Sequence, residues 1–283
     1  MLASTTILTS LIAAGAMGIA CAVLSVFVIS RRWAFIGEGI GHAGFGGAGT
    51  IWLLSLLIPS LDQPLIIYGG VVVFCVATAL AIGWVTRRQR LNSDTAIGIF
   101  LVASLAWGFL GSSVYTHFHH ASPQRLPDLL FGNFTTISPT HAISSVMICA
   151  AVLVVIMMLG KEIIYYSFDP LLAEVSGVRA GFIHYLMMIL LAMTIIIGIP
   201  IAGSVLVTAL LVLPGATAMM LSQKLKTVVL LSVLLGLFSA LAGTAISTFF
   251  RYLPAGPMMV LVLFILFLIA FIATRTRARA AAG

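Results

Sequence analysis

The stretch Ala34-Phe35-Ile36-Gly37-Glu38-Gly39-Ile40-Gly41-His42-Ala43 opens an apolar run, 34–58, that is long enough to cross a bilayer and carries one acid and one histidine. On a helix, positions i and i+4 lie one above the other, so Glu38 and His42 are expected to share a face. An ionised carboxylate deep in hydrocarbon costs roughly 2.5–3.5 kcal/mol on insertion scales, and ionisable residues kept there are by default functional. The run also holds seven glycines, from Gly37 to Gly49. Gly37 and Gly41 form a small-xxx-small pair that lets neighbouring helices approach closely.

Outward from this stretch, the chain of 283 residues is 61% hydrophobic and only 7% charged, with a mean hydropathy of +1.22. Soluble domains carry about 25% charged residues, so the expected fold class is an all-α polytopic membrane protein. The net charge of +7 does not point to nucleic acid, because the basic residues punctuate the ends of apolar runs instead of clustering on one face. Cys21, Cys75 and Cys149 fall inside apolar runs without metal-like spacing and read as small buried hydrophobes. No Lys or Arg precedes Arg31, so the first run reads as a retained span and not as a cleaved leader.

Apolar segments follow at about 7–30, 34–58, 64–86, 95–116, 142–160, 182–199, 203–222, 227–250 and 256–274. Each is near the ~20 residues that cross ~30 Å of hydrocarbon. Nine spans are expected, or eight with a broken helix where Gly198-Ile199-Pro200 and Gly203 interrupt a charge-free stretch. Loops after odd-numbered spans, together with the carboxyl tail, hold every basic residue except Arg125 and Arg251. The positive-inside rule then puts the amino terminus outside and the carboxyl terminus in the cytoplasm.

Two connections are long. The external one, near 115–141, contains His117, His119 and His120. That short tract reads either as a site of transient metal capture or as a plain polar loop. The cytoplasmic loop, about 161–181, contains Asp169-Pro170-Leu171-Leu172-Ala173-Glu174. This reads as a short helix capped by Ser167 or Asp169, with Pro near its first position and Gly177 at its end. Leu171, Leu172 and Val175 give it an apolar face suited either to a docking partner or to the headgroup region. No nucleotide-binding Gly-x-x-x-x-Gly-Lys-Ser/Thr run occurs, so an ATP-driven role requires a separate subunit.

A carboxylate oxygen and an imidazole nitrogen at i, i+4 can share one divalent cation. One pair is too few ligands for a full site. A two-fold homodimer would supply a second Glu38 and His42 and complete a four-ligand set. His184, early in the sixth span, reads mainly as a packing residue. Asp94, beside Ser93, reads as a helix-start acid.

The motifs are similar to those of a known family. Phe35-Ile36-Gly37-Glu38-Gly39-Ile40-Gly41-His42-Ala43 resembles the Gly-Asp-Ala-x-Ser-His-Ala segment of the permeases of zinc and manganese ABC importers, the ABC-3 family. Asp94-Thr95-Ala96-Ile97-Gly98, Leu130-Phe131-Gly132-Asn133, Phe168-Asp169-Pro170 to Gly177, Leu213-Pro214-Gly215-Ala216-Thr217-Ala218 and Leu253-Pro254-Ala255-Gly256-Pro257 resemble later family segments in the same order. The resemblance implies one transmembrane permease domain over 1–283 in a bacterial cytoplasmic membrane. It implies no permanently bound cofactor and a divalent metal, zinc or manganese, as the substrate. The implied partners are a second permease copy, a cytoplasmic ATP-binding subunit and an external metal-binding protein. Glu38 and His42 are then expected to line the metal path, and Asp169, Pro170, Leu171, Leu172, Glu174 and Gly177 to couple to the ATPase. Glu38 replaces the family's usual Asp and Gly41 its usual Ser. The histidine-rich loop inclines the expectation towards zinc, with manganese and ferrous iron as alternatives.

Overall fold

The computed structural model describes residues 2–88, 91–119, 139–250 and 253–282. These residues form eleven α-helices: α1 (Leu2–Ser30), α2 (Ile36–Ser55), α3 (Pro64–Arg87), α4 (Ser93–His119), α5 (Pro139–Met158), α6 (Gly160–Phe168), α7 (Pro170–Val175), α8 (Ala180–Ala202), α9 (Ser204–Leu221), α10 (Leu225–Phe249) and α11 (Ala255–Ala282). A 3₁₀ turn, Pro59–Leu61, lies between α2 and α3. No strand occurs among the described residues. The protein is an all-α polytopic membrane protein.

Six helices are long and apolar enough to cross a bilayer on their own: α1, α3, α4, α8, α10 and α11. The nine expected crossings therefore do not appear as nine equivalent helices. The α5–α6 pair passes the same test only jointly and is bent by 75° at Leu159. The α9 helix is short. The α2 helix has 20 residues, about 30 Å at 1.5 Å per residue, but its glycines and its Glu38–His42 pair lower its hydropathy. Its burial explains why that is tolerated: nearly every residue from Ile36 to Gly49 is buried by other helices, so its surface meets protein and not lipid.

Two helices form the middle of the bundle. Over their apolar windows, 78% of α1 and 72% of α8 is buried, against roughly a third or less in α3, α4, α10 and α11. Met17, Leu24, Ile36, Ile40, Met187 and Leu191 belong to one continuous core that joins α1, α2 and α8. The α2 helix is enclosed by α3, α4, α8 and α9. Its crossing with α4 is so close that a Cβ on Gly108 would lie 2.6 Å from the Phe45 main chain.

The charge-free stretch breaks at Gly203, whose φ of +82° suits a residue without a side chain. Pro200 is accommodated inside the last turn of α8. In α9 the Ser25 hydroxyl of α1 donates to the Val212 carbonyl and accepts from the Gly215 N–H, at 3.2 and 2.8 Å. Those bonds tie the main chain around Pro214, which cannot donate, to α1.

Candidate metal site and coupling surface

Glu38 and His42 occupy the first two turns of α2, just past the corner formed by Arg31, Arg32 and Trp33. As their spacing predicts, they share a face: His42 Nε2 lies 3.7 Å from Glu38 Oε1. That is too long for a hydrogen bond. His42 is 8% exposed, and its Nδ1 has no hydrogen-bond partner among the described residues. The Glu38 side chain is 30% exposed. The pair thus couples a buried imidazole to a carboxylate that reaches open space.

The neighbours of α2 fix where this face points. Gly37 and Gly41 abut Thr208 and Ser204 of α9, and a Cβ on Gly41 would sit 3.0 Å from that of Ser204. Gly49 abuts Gly108 of α4. At 100° per residue, Glu38 and His42 fall in a sector centred on Gly49, round the helix from the Gly37–Gly41 contact. Phe45 shares the sector: its ring meets His42 edge-on at 6.1 Å and stacks on Phe109 of α4 at 6.1 Å. Ser204 Oγ is buried and, like His42 Nδ1, has no hydrogen-bond partner among the described residues. Ser204 and Thr208 were not legible as neighbours of α2, since only packing brings them there.

Two donors 3.7 Å apart suit a shared cation. With ligand bonds of about 2.0–2.2 Å they would subtend roughly 115–135° at the ion. Among the described residues no group of three or more His, Cys, Asp or Glu could hold a metal. Among the described residues the pair is therefore an incomplete set. Cys75, the thiol nearest this helix by contact, donates to the Ile40 carbonyl at 3.3 Å, and Ile40 lies on the opposite face of α2.

The histidine tract is less concentrated than its sequence suggests. The α4 helix continues through His119, and both His117 and His119 are exposed. Two residues apart on a helix, they do not face each other. The His117 ring contacts Phe118, and the His119 ring packs on Tyr115, whose hydroxyl donates to Asp62 at 2.7 Å. His120 and Leu130-Phe131-Gly132-Asn133 lie outside the described residues.

The short helix α7 forms as expected. Asp169 is its cap: Oδ1 accepts from the Leu171 and Leu172 N–H groups at 2.9 and 3.1 Å, and Pro170 takes the first position. At the other end the N–H groups of Gly177 and Val178 donate to the carbonyls of Glu174 and Ala173. This is a Schellman ending, with Gly177 at φ +81°. Ala173 is buried, whereas Leu171, Leu172, Val175 and the preceding Phe168 are 54–87% exposed. So α7 is seated by one small residue and presents a leucine–valine surface outward. Beside it, Arg87, Glu174, Arg179 and Tyr185 line an open cleft of about 620 Å³.

His184 is not available as a ligand. Its Nε2 donates to the Gly83 carbonyl at 2.8 Å, and its Nδ1 is 2.6 Å from the Tyr166 hydroxyl. Asp94 lies exposed in the first turn of α4, where a negative charge complements the helix dipole.

The fold and this site define a bundle of membrane helices around an inner helix that carries an acid–histidine pair, with a short apolar helix presented outward. The chain belongs to the ABC 3 transport family, whose model matches residues 3–274. It is similar to a manganese transport system membrane protein, MntC of Halalkalibacterium halodurans, with 34% identity over 93% of this chain and 85% of that protein. It is 31% identical to a chelated iron transport system membrane protein, YfeD of Yersinia pestis, over 93% of this chain and 84% of that one. Among solved structures it resembles PsaBC from Streptococcus pneumoniae in complex with Fab, at a TM-score of 0.76 and 32% identity, covering 93% of this chain and 90% of the other.

Proposed function

We propose that this chain is the membrane-spanning permease subunit of an ATP-driven importer of divalent metal ions, and that manganese is its principal substrate. The observation that carries the reading is the Glu38–His42 pair: two donors 3.7 Å apart on a helix buried by its neighbours, in a chain of the ABC 3 transport family. The expected preference for zinc gives way to manganese, with ferrous iron next. Relatives are named for manganese and iron transport. Carboxylate oxygen with imidazole and no thiolate is also a harder ligand set than the sulfur-rich sites that favour zinc.

The same reading treats 1–283 as one transmembrane permease domain, with loop 161–181 as its coupling element. The alternation of basic loops supports an external amino terminus and a cytoplasmic carboxyl terminus. A metal-binding protein would then deliver the ion from outside, and a cytoplasmic ATP-binding subunit would seat on the exposed face of α7, residues Leu171, Leu172 and Val175. The chain has no nucleotide loop of its own, so hydrolysis falls to that subunit. One Glu38 and one His42 make half a coordination shell. A second permease copy across a two-fold axis would supply the other half.

The test is uptake into proteoliposomes that hold the permease, its ATPase subunit and its binding protein, with manganese, ferrous iron and zinc in competition. ATP-dependent manganese accumulation, displaced by iron and less well by zinc, is the expected result. Accumulation without nucleotide would replace this reading with a gradient-driven carrier. Zinc outcompeting manganese would restore the preference read from the histidine-rich loop.

A further inference from the structure

Three residues outside the proposed metal path, Arg31, Tyr166 and His184, form a chain of hydrogen bonds that ties the α1–α2 corner to α6, α8 and α3. It starts at Arg31, in the α1–α2 corner. Its Nη2 donates to the Tyr166 hydroxyl of α6 at 3.2 Å. Tyr166 lies 2.6 Å from Nδ1 of His184 in α8, and His184 Nε2 lies 2.8 Å from the Gly83 carbonyl of α3. A carbonyl only accepts, so Nε2 carries the proton and Nδ1 accepts from the phenol. The phenol oxygen in turn accepts from Arg31 Nη2, so one arrangement of protons serves all three bonds, while Arg31 Nε has no hydrogen-bond partner among the described residues. Tyr166 is 4% exposed and His184 3%.

Further contacts extend this chain towards the metal pair. The Arg31 guanidinium lies over the Tyr166 ring at 4.6 Å and over the Trp33 ring at 5.4 Å. Trp33, 2% exposed, meets His184 edge-on at 5.5 Å. The Trp33 carbonyl accepts from the Ile36 N–H, which begins α2, and Glu38 follows two residues later. The corner that aims Arg31 and Trp33 at this cluster places Arg32 at φ +57°, a conformation that an L side chain adopts at a cost. At the other end, Tyr166 stands three residues before Asp169, the cap of α7.

We propose that Tyr166, His184 and Arg31 are positioning residues that transmit displacement of the α6–α7 unit to the first turn of α2, and so set where Glu38 stands during the transport cycle. The proposal rests on the importer reading for its functional half and on the hydrogen-bond geometry alone for its mechanical half. The α6 helix is the natural lever, because its bend of 75° from α5 at Leu159 leaves Ile163, Tyr166 and Ser167 as its buried face. Of these three, only Tyr166 places a side-chain hydroxyl in a bond that crosses to another helix. Ser167 Oγ has no hydrogen-bond partner among the described residues.

The experiment uses the full-length permease in lipid nanodiscs, alone and with its ATPase subunit. Tyr166→Phe keeps the ring and removes the relay's hydroxyl. His184→Gln keeps one acceptor and one donor, and so serves as the conservative rescue. The first readout is amide hydrogen exchange of residues 33–38, with α10 as the internal reference. The second is manganese accumulated per ATP hydrolysed. Tyr166→Phe is expected to speed exchange at 33–38 without changing α10, and to lower uptake per ATP roughly three- to tenfold while hydrolysis continues. His184→Gln is expected to retain most of the wild-type exchange protection and uptake per ATP. Unchanged exchange at 33–38 in both variants overturns the relay. Altered exchange with wild-type uptake per ATP overturns its role in coupling. Uptake and hydrolysis falling in parallel with a lowered melting point assigns the cluster to the scaffold and overturns the proposal. If the wild-type complex accumulates no divalent metal at all, the importer reading fails, and the exchange measurement still decides the mechanical claim.

Discussion

His42 and His184 are alike in sequence context and opposite in structure. Each sits early in a helix of the bundle, and they are 8% and 3% exposed. His184 has a protein partner on both ring nitrogens, at 2.6 and 2.8 Å, and aromatic rings of Trp33, Tyr166 and Tyr185 around it. His42 has an Nδ1 with no hydrogen-bond partner among the described residues and an Nε2 that reaches the Glu38 carboxylate only at 3.7 Å. A buried polar group left unmatched costs about 1–3 kcal/mol. The fold bears that cost at His42 and avoids it at His184. The satisfied histidine is bonded to two other helices, and the unsatisfied one leaves Nδ1 open, as the proposed metal path requires.

The strongest way to break this contrast is to remove each ring. His42→Ala is expected to lower manganese uptake about 100-fold or more, since losing even a second-shell group costs 10- to 100-fold at metal sites. Its thermal midpoint should barely move, because a poorly satisfied group is all that is lost. His184→Ala should cost mainly stability, with a severalfold loss of uptake per ATP as the relay is cut. It strands the Tyr166 hydroxyl and the Gly83 carbonyl, at about 1–3 kcal/mol each, and the midpoint should fall clearly. Thermal unfolding in detergent, read beside uptake, checks both. Equal destabilisation by the two substitutions would erase the distinction.

A smaller effect separates the wall of the site from its donors. Gly108→Ala would drive a Cβ to 2.6 Å from the Phe45 main chain, and overpacking of this kind costs about 1–3 kcal/mol. Because Phe45 shares the sector of Glu38 and His42, uptake should fall with stability. Gly98→Ala, ten residues earlier on α4, meets nothing within 4 Å. It should stabilise by about 0.5–1 kcal/mol, the usual gain of Ala over Gly inside a helix, and leave uptake alone. Chemical denaturation of both variants makes the comparison.

Much of this arrangement was legible before any coordinates. Hydrophobic run lengths located the principal helices, the glycines after Glu38 announced close packing, and Asp169-Pro170 with Gly177 predicted both ends of α7. Those signals are local, and local chemistry decides them. The count of nine crossings was not legible in the same way. Hydropathy cannot tell a helix that meets lipid from one such as α2 that meets only other helices. The His184 network was hidden for a related reason. Gly83, Tyr166 and Arg31 lie 101, 18 and 153 positions from His184 in sequence, and nothing in their spacing brings them together. The histidine tract is legible only in part: α4 carries His117 and His119 on different sides, and His120 lies outside the described residues.

The smallest predicted effect probes the corner that joins the two histidines' surroundings. Arg32 holds φ +57° while the N–H groups of Arg32 and Trp33 donate to the Ile29 and Val28 carbonyls, a Schellman ending that ordinarily takes glycine. The left-handed conformation costs an L-residue about 1–2 kcal/mol, which Arg32→Gly would relieve. Two terms oppose that gain. Glycine loses about 0.5–1 kcal/mol more chain entropy on folding, and a cation at the end of α1 is worth about 0.3–1 kcal/mol against the helix dipole. The balance leaves the fold within about 1 kcal/mol of wild type. If Arg32 matters only to the scaffold, uptake should follow that small change. If the corner sets the seat of Trp33, and through it the first turn of α2, a more flexible glycine should lower uptake per ATP severalfold at nearly unchanged stability. A variant that alters both in proportion would place the corner in the scaffold. One that alters uptake alone would place it with His42.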